Sequence, residues 1–485
     1  MTKAKRTKIL KRPDAVKVKQ IAETSVDPIT LASHAARTCY AADVPELGEI
    51  IDVENRLFRT GHHSTLEHNY YTFNIDGIPV SSMVFGLHLT APFYNTDQRS
   101  GRFSKMYDNP DMNEIENILY TYYPDLWGSQ VERIEDFIKT GLDVYAYSKD
   151  RVTDIARDAI KKERPHASAK YIEQNAPKFA QEQLRMFISM IAPTALDWTV
   201  DLPTIAAFYR TAWTRPMRDT MDKIVELVKK DQRTKAKRRN NENNNDKNVD
   251  DISYMFNPDA RGTTDWTPEF PGYKGVKTRP EFKLVDFYYD DKAFTENNAH
   301  DMVDTLQFSP NTMDNSLGYI HSRVHIDAGA TMGQDQRHRS IKRSTPKFTG
   351  YFYLPPLLDA ANLEPAANEF MKKYEALYND PNLDKSLLGM IAPYGLMVQY
   401  DKRADLNALI HEQGKRTCWC AQEAIYHISC DLRHDLAQEI GADAKLMKYL
   451  TPPCLSMGKC PEGPRTCGRD LIAAMRDGYF QKRRV

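Results

Sequence analysis

The chain has 485 residues, and 66 Lys and Arg are matched by 66 Asp and Glu. With 41% hydrophobic and 27% charged residues it reads as an ordinary globular protein of two or three domains. Neutrality argues against a dedicated nucleic-acid or polyanion binder, no apolar run approaches the roughly 20 residues of a membrane helix, and Met1 to Arg6 leads into no secretory apolar segment. A cytoplasmic protein with no membrane partner is expected.

Along the chain, Ala15-Val16-Lys17-Val18 reads as a strand. Ile50, Val53 and Leu57 recur at helical spacing within residues 46–60, and Gly61 is a suitable stop. Tyr70-Tyr71-Thr72-Phe73-Asn74-Ile75 reads as a second strand, and helices dominate 129–229 with a break at Pro216. Residues 229–251, KKDQRTKAKRRNNENNNDKNVDD, offer nothing to a core and read as a mobile linker. Lys235, Lys237, Arg238 and Arg239 within it could touch RNA or DNA, but a solvated linker is the preferred reading. Residues 257–280 continue as an irregular connection, Phe282 to Phe287 reads as a strand, and Ala421 to Glu439 as a helix ending at Gly441.

Two similar halves flank the linker. Met190-Ile191-Ala192-Pro193 recurs as Met390-Ile391-Ala392-Pro393. Each copy precedes an Asp-Leu pair, Asp201-Leu202 and Asp405-Leu406, that opens an apolar helix with Asp as its N-cap. The shared order of segments points to an ancient duplication. The expected fold is α+β, with an N-terminal half at 1–230, a connection at 231–281 and a C-terminal half at 282–485.

Seven cysteines occur, and six lie after residue 417. Cys454, Cys460 and Cys467 sit in a Pro/Gly-rich tail and could hold zinc together with Cys418, Cys420, Cys430 or a His. The spacing is not a C-x2-C pair, so buried free thiols are the default and no metal is assigned.

Three segments resemble the flavin-dependent thymidylate synthases. Gly61-His62-His63-Ser64-Thr65-Leu66-Glu67-His68, followed by a strand, is similar to the family's flavin-contacting His loop. Ser100-Gly101-Arg102-Phe103-Ser104-Lys105 resembles the end of the signature R-H-R-x-x-S-x-N-x-x-S-x-R-Y, where Ser, Gly and Arg hold the nucleotide. Gln334-Asp335-Gln336-Arg337-His338-Arg339 resembles its beginning. Lys415-Arg416 with Ala421-Gln422 resembles the family's helix whose terminal Arg approaches phosphate and uracil.

Each half lacks what the other keeps. Leu89-Thr90-Ala91-Pro92 stands at the first R-H-R position, and Lys347-Phe348-Thr349-Gly350 where a second Ser-Gly-Arg would be. The second His loop has become Thr312-Met313-Asp314-Asn315, and Ala212 falls near the counterpart of Arg416. The family is homotetrameric with composite sites, so the resemblance implies two diverged copies of its fold in one chain and a homodimer of pseudo-tetrameric form.

What the resemblance implies chemically is reductive methylation of dUMP to dTMP, with FAD as cofactor and methylenetetrahydrofolate and NADPH as co-substrates. It places His62, Ser64, Arg337, His338 and Arg339 at the flavin, and Ser100, Gly101, Arg102, Gln334 and Arg416 at the nucleotide. Arg416 also serves catalysis by polarising the uracil. No cysteine nucleophile is needed, so Cys39 is expected as a small buried residue. Two alternatives stand beside this reading: a flavoenzyme modifying another pyrimidine nucleotide or uracil in nucleic acid, and a catalytically dead nucleotide-binding scaffold.

Overall fold

The computed structural model describes residues 15–89, 94–99, 112–242, 252–261, 268–295, 314–463, 466–472 and 482–485, the side chains of 239–242 excepted. The first sheet takes β1 (Lys17–Glu23), β2 (Tyr70–Pro79), β3 (Tyr94–Gln98) and β4 (Pro193–Asp201) in the antiparallel order β1-β2-β4-β3. The second contains β5 (Gly275–Lys277), β6 (Glu281–Tyr289), β7 (Gly318–Asp327), β8 (Lys342–Arg343), β9 (Lys347–Tyr353) and β10 (Leu396–Asp405). Its order is β5-β9-β10-β7-β6, with β8 also on β10, so β6-β7-β10-β9 repeats the order of the first sheet.

Register repeats as well as order. Tyr70 faces Asp201 and Phe73 faces Gln20; Tyr319 faces Asp405 and Ser322 faces Leu284. Both edge strands then skip one residue at the same place. These are Ile21 and Val285, left 54% and 40% exposed by the bulge.

The helices used below are α1 (Pro28–Thr38), α2 (Met112–Tyr122), α3 (Gly128–Glu163), α4 (Ala169–Leu184), α5 (Leu202–Thr211), α6 (Arg215–Glu242), α7 (Thr331–Asp335), α8 (Glu364–Tyr378), α9 (Leu406–Arg416) and α10 (Glu423–Ile440). One apolar core runs through both halves: Phe137 of α3 stacks on Phe370 of α8 at 4.7 Å, and Phe85 meets Phe348 edge-on at 5.3 Å. Gly141 lets α3 come close, since a Cβ there would meet the Phe187 carbonyl at 2.0 Å. The two Met-Ile-Ala-Pro segments lie side by side at the centre. Ser189 bridges to Pro393 antiparallel, the Met190 amide donates to Ala392 (2.8 Å), and Tyr394 donates to Ile188 (2.8 Å).

Four expectations need correction. The stretch from Lys229 does not begin as a loop: α6 continues to Glu242, because Val228, Gln232 and Ala236 extend its buried face along β1 and β2. Within 46–60 only Glu54–Phe58 forms a helical turn, since Gly48 sits at φ +111°, outside any helix. Cys39 is exposed, at the C-cap of α1. Asp201 caps α5 by accepting from the Thr204 amide (2.8 Å), whereas Asp405 occupies the N-cap of α9 without a side-chain cap bond.

Candidate functional site

The site is built where β7 ends. The Asp327 carboxylate accepts from the amides of Ala330 (2.8 Å) and Thr331 (2.7 Å) and from the Thr331 hydroxyl, fixing the start of α7. Full burial raises its carboxyl, and nearby Arg185 opposes that shift. α7 carries Gln334 and Asp335 and delivers the chain into Gln336-Arg337-His338-Arg339.

Asp335 anchors this segment from behind. Its carboxylate accepts from Lys402 (2.5 Å), Arg343 (2.5 Å) and the Tyr400 hydroxyl (2.7 Å), and Lys402 also donates to Glu412 (2.6 Å). Burial opposes ionisation of Asp335, but Arg343 and Lys402 outweigh it and hold the carboxyl well below its ordinary range. Two cations and two carboxylates therefore share one dry pocket.

Gln334 and Arg416 meet. The Arg416 guanidinium, on the last residue of α9, donates to the Gln334 carbonyl. The Gln334 side chain donates to Gln422 (2.6 Å), whose oxygen also accepts from Arg185 of the first half (2.7 Å). His338 is buried with its ring centroid 5.6 Å from that of His411. Burial and the charge of Arg416 push its pKa well below the ordinary value, so its imidazole is neutral. Among the described residues, neither His338 ring nitrogen has a hydrogen-bond partner, and the buried side-chain oxygens of Gln334 and Gln336 also lack one. Buried polar atoms in that state call for a ligand or water.

Arg339 crosses to the first half. Its guanidinium donates to Asn95 of β3 (3.0 Å) and lies 5.2 Å from the centre of the Tyr94 ring. Gln336 donates to the Val84 carbonyl (2.8 Å). Between them lies a narrow cleft, lined by His88, Leu89 and Tyr94 on one side and Met332, Gln336, Arg339, Arg343 and Tyr400 on the other. Burial, with Arg337 and Arg339 nearby, lowers His88 to about 3, so it too is neutral.

Of the residues singled out from sequence, Gln334, His338 and Arg416 converge, and Arg337 and Arg339 face the first half. His62 and Ser64 do not join them. Both are exposed, His62 at the N-cap of the short turn His63–Leu66 and Ser64 within it, where His63 contacts the Phe58 carbonyl (3.0 Å) and Thr65 donates to the His62 carbonyl (3.2 Å). Among the described residues, no hydrogen bond or ring contact joins His62 or Ser64 to the Gln334 group. Ser100, Gly101 and Arg102 lie outside the described residues, but they follow β3, the strand that holds Arg339.

Sequence reasoning missed His88, Tyr94 and the Asp335 network. Their only signal is the placement of an acid between Gln334 and two cationic residues, which pattern alone does not distinguish from surface charge. In the tail, Cys467 packs against Trp419 and Tyr426, and all seven cysteines are free. Among the described residues, no group of three His, Cys, Asp or Glu side chains is placed to hold a metal ion.

Residues 20–231 match the family model described as thymidylate synthase complementing protein. No curated protein matches the chain. Thymidylate Synthase X from Helicobacter pylori, solved with FAD and dUMP, is 16% identical over 45% of this chain and 96% of that one, with a TM-score of 0.29. The UMP/dUMP methylase PolB from Streptomyces cacaoi, bound with 5-Br dUMP, is 15% identical over 45% of this chain and 91% of that one, at 0.27. Neither superposition is close enough to carry geometry across. That family match covers residues 20–231, less than half of the chain.

Proposed function

We propose that the protein is a flavin-dependent thymidylate synthase that methylates dUMP to dTMP, using methylenetetrahydrofolate, FAD and NADPH. The observation that carries this reading is the convergence of Gln334, His338 and Arg416 around unpartnered buried polar atoms, where the second half meets the first. A planar fork such as Arg416 suits an anionic phosphate or an enolate-like uracil oxygen. FAD, when bound, supplies the hydride that completes the methyl group. Arg337 and Arg339 offer positive charge to its pyrophosphate, and neutral His338 can donate or accept without adding charge.

The cleft lined by His88, Tyr94, Gln336 and Arg339 is too small for a whole dinucleotide. The rest of the flavin would therefore lie outside it, where His62 and Ser64 of the same or a second chain could reach. Repetition of strand order, register and edge bulge supports two diverged copies of one fold, residues 1–230 and 282–485. The complementary loss of motifs supports a homodimer with composite sites.

The test uses the full-length protein. It should take up FAD, seen as a yellow chromophore, and turn over dUMP to dTMP. In calorimetry of FAD-loaded protein, Arg416→Ala and Arg102→Ala should each weaken dUMP binding about ten- to a hundredfold, the range for losing one charged hydrogen bond. No FAD uptake by the intact protein at micromolar concentrations would overturn the flavin reading, and equal dUMP affinity in all three proteins would overturn the nucleotide site.

A further inference from the structure

The folding of residues 229–238 into α6 changes what their charge means. As a solvated linker they would carry no information, but as a helix they have a fixed face. Ile224, Val225, Val228, Gln232 and Ala236 are buried, which leaves Lys230, Arg233 and Lys237 as an exposed stripe at i, i+3 and i+7. Two other lysines fasten the helix to the sheet edge: Lys223 donates to the Val16 carbonyl (2.7 Å), and Lys235 to Thr24. Those two are also neutralised, by Asp219 and Asp231. The exposed ones are not. Among the described residues, Lys17, Lys19, Lys230, Arg233 and Lys237 form no ion pair.

β1 and α6 flank an open groove with Val16, Val18 and Leu227 on its walls and Lys17, Lys230 and Arg233 along it. Its two acids are Asp222, tied to Arg261 at 2.7 Å, and the exposed Glu226. Residues 1–20 hold eight Lys or Arg against one Asp, and residues 229–239 hold seven against one Asp. In a chain of zero net charge, that surplus leaves the remainder correspondingly acidic. Edge protection does not explain it, because the matching edge strand β6 carries Glu281 and Asp286 beside Lys283.

We infer that the groove between β1 and α6 binds the phosphate backbone of a nucleic acid, without reading its sequence. A row of unneutralised cations at fixed spacing attracts a polyanion by releasing its condensed counterions. The groove offers no aromatic platform on which bases could stack, so contact is with phosphates. This reading is independent of the nucleotide site, which lies at the contact with the second half.

The experiment is fluorescence anisotropy with a labelled duplex of about 20 base pairs, titrated with full-length protein between roughly 50 and 200 mM salt. Five phosphate contacts predict a log–log salt slope near about −4.5, and an unrelated sequence should bind equally. The triple variant Lys230→Glu, Arg233→Glu, Lys237→Glu changes only exposed positions and should bind at least about a hundredfold more weakly. Lys17→Glu with Lys19→Glu tests the strand side separately, and circular dichroism checks that both variants fold. Absent binding at the lowest salt, a salt-independent affinity, or affinity untouched by both variants would overturn the inference. So would tighter binding to vesicles of anionic lipid than to the duplex at the same salt.

Discussion

After β2 and after β7 the backbone makes the same move, yet the two turns carry opposite kinds of side chain. In the first sheet, the amides of Val80 and Ser81 donate to Ala192 and Met190; in the second, those of Ala328 and Gly329 donate to Leu396 and Tyr394. The first turn then runs through Met83-Val84-Phe85-Gly86-Leu87, all buried, and ends on neutral His88. The second runs into Gln334, Asp335 and the Arg-His-Arg triplet. One turn is an apolar wall, and the other carries charged residues and packs against it. That division has a physical advantage, since charges act more strongly in a dry, low-dielectric cleft than in water.

The largest break in this comparison should come from Asp335. Removing its carboxylate leaves Arg343 without its acidic partner while Lys402 keeps Glu412, and one uncompensated buried charge costs about 3–5 kcal/mol. Asp335→Ala should lower the unfolding free energy from urea denaturation by that amount, and Asp335→Asn by somewhat less. The first turn has apolar side chains in place of such a network, so Val84→Ala should cost only about 1–2 kcal/mol. A loss below about 1 kcal/mol for Asp335→Ala would show that the network is hydrated and does not support the turn.

A second effect separates His88, on the wall of the cleft, from Glu423 at the start of α10 by pH. His88 is lowered to about 3 from 6.5, so its contribution to stability is complete above pH 6.5 and is lost as pH falls towards 3. Glu423, buried near Glu182 and donated to by the Tyr353 hydroxyl, is raised to about 7 from 4.5. Its contribution is therefore complete below pH 4.5 and is lost as pH rises through 7. Stability measured from pH 3 to 8 should fall at both ends. His88→Gln should flatten only the acid limb, and Glu423→Gln only the neutral one. If neither variant changes its limb, both groups titrate as they do in the unfolded chain.

How much of this was legible before the structure depends on whether a signal was local. The strands, the helix stop at Gly441 and the Met-Ile-Ala-Pro repeat follow from period, capping and recurrence. The pairing of one Met-Ile-Ala-Pro with the other is a contact across about two hundred residues, which no local pattern encodes. α6 was misread because its buried face past Val228 consists of Gln232 and Ala236, neither of which looks like core. For the site, Gln334, His338 and Arg416 could be named from motif alone, but what holds them could not. Asp335 looks like one more surface acid until Lys402 and Arg343, from separate strands, are brought to it.

The smallest effect tests how alike the halves are at equivalent positions. Asp201 and Asp405 end matching strands, pair with matching tyrosines and open matching helices. Asp201 accepts from the Thr204 amide, satisfying a first-turn donor of α5, while the Asp405 side chain makes no such bond. Asp201 is also buried beside Glu67 of the His62 loop, and burial raises its carboxyl to about 6. Asp201→Ala removes a cap, which ordinarily costs about 0.5–2 kcal/mol, and Asp405→Ala removes only a helix-start charge, about 0.3–1 kcal/mol at most. The raised carboxyl adds a pH signature. A group whose folded value lies above its ordinary 3.8 stabilises fully below that point and loses its contribution as pH rises through 6. The Asp201→Ala deficit should therefore be larger at pH 4 than at pH 7. Denaturant curves of the two variants at both pH values decide the matter. Equal, pH-independent losses would mean that the two N-caps do the same job after all, and that the asymmetry between the halves is confined to the turns facing the cleft.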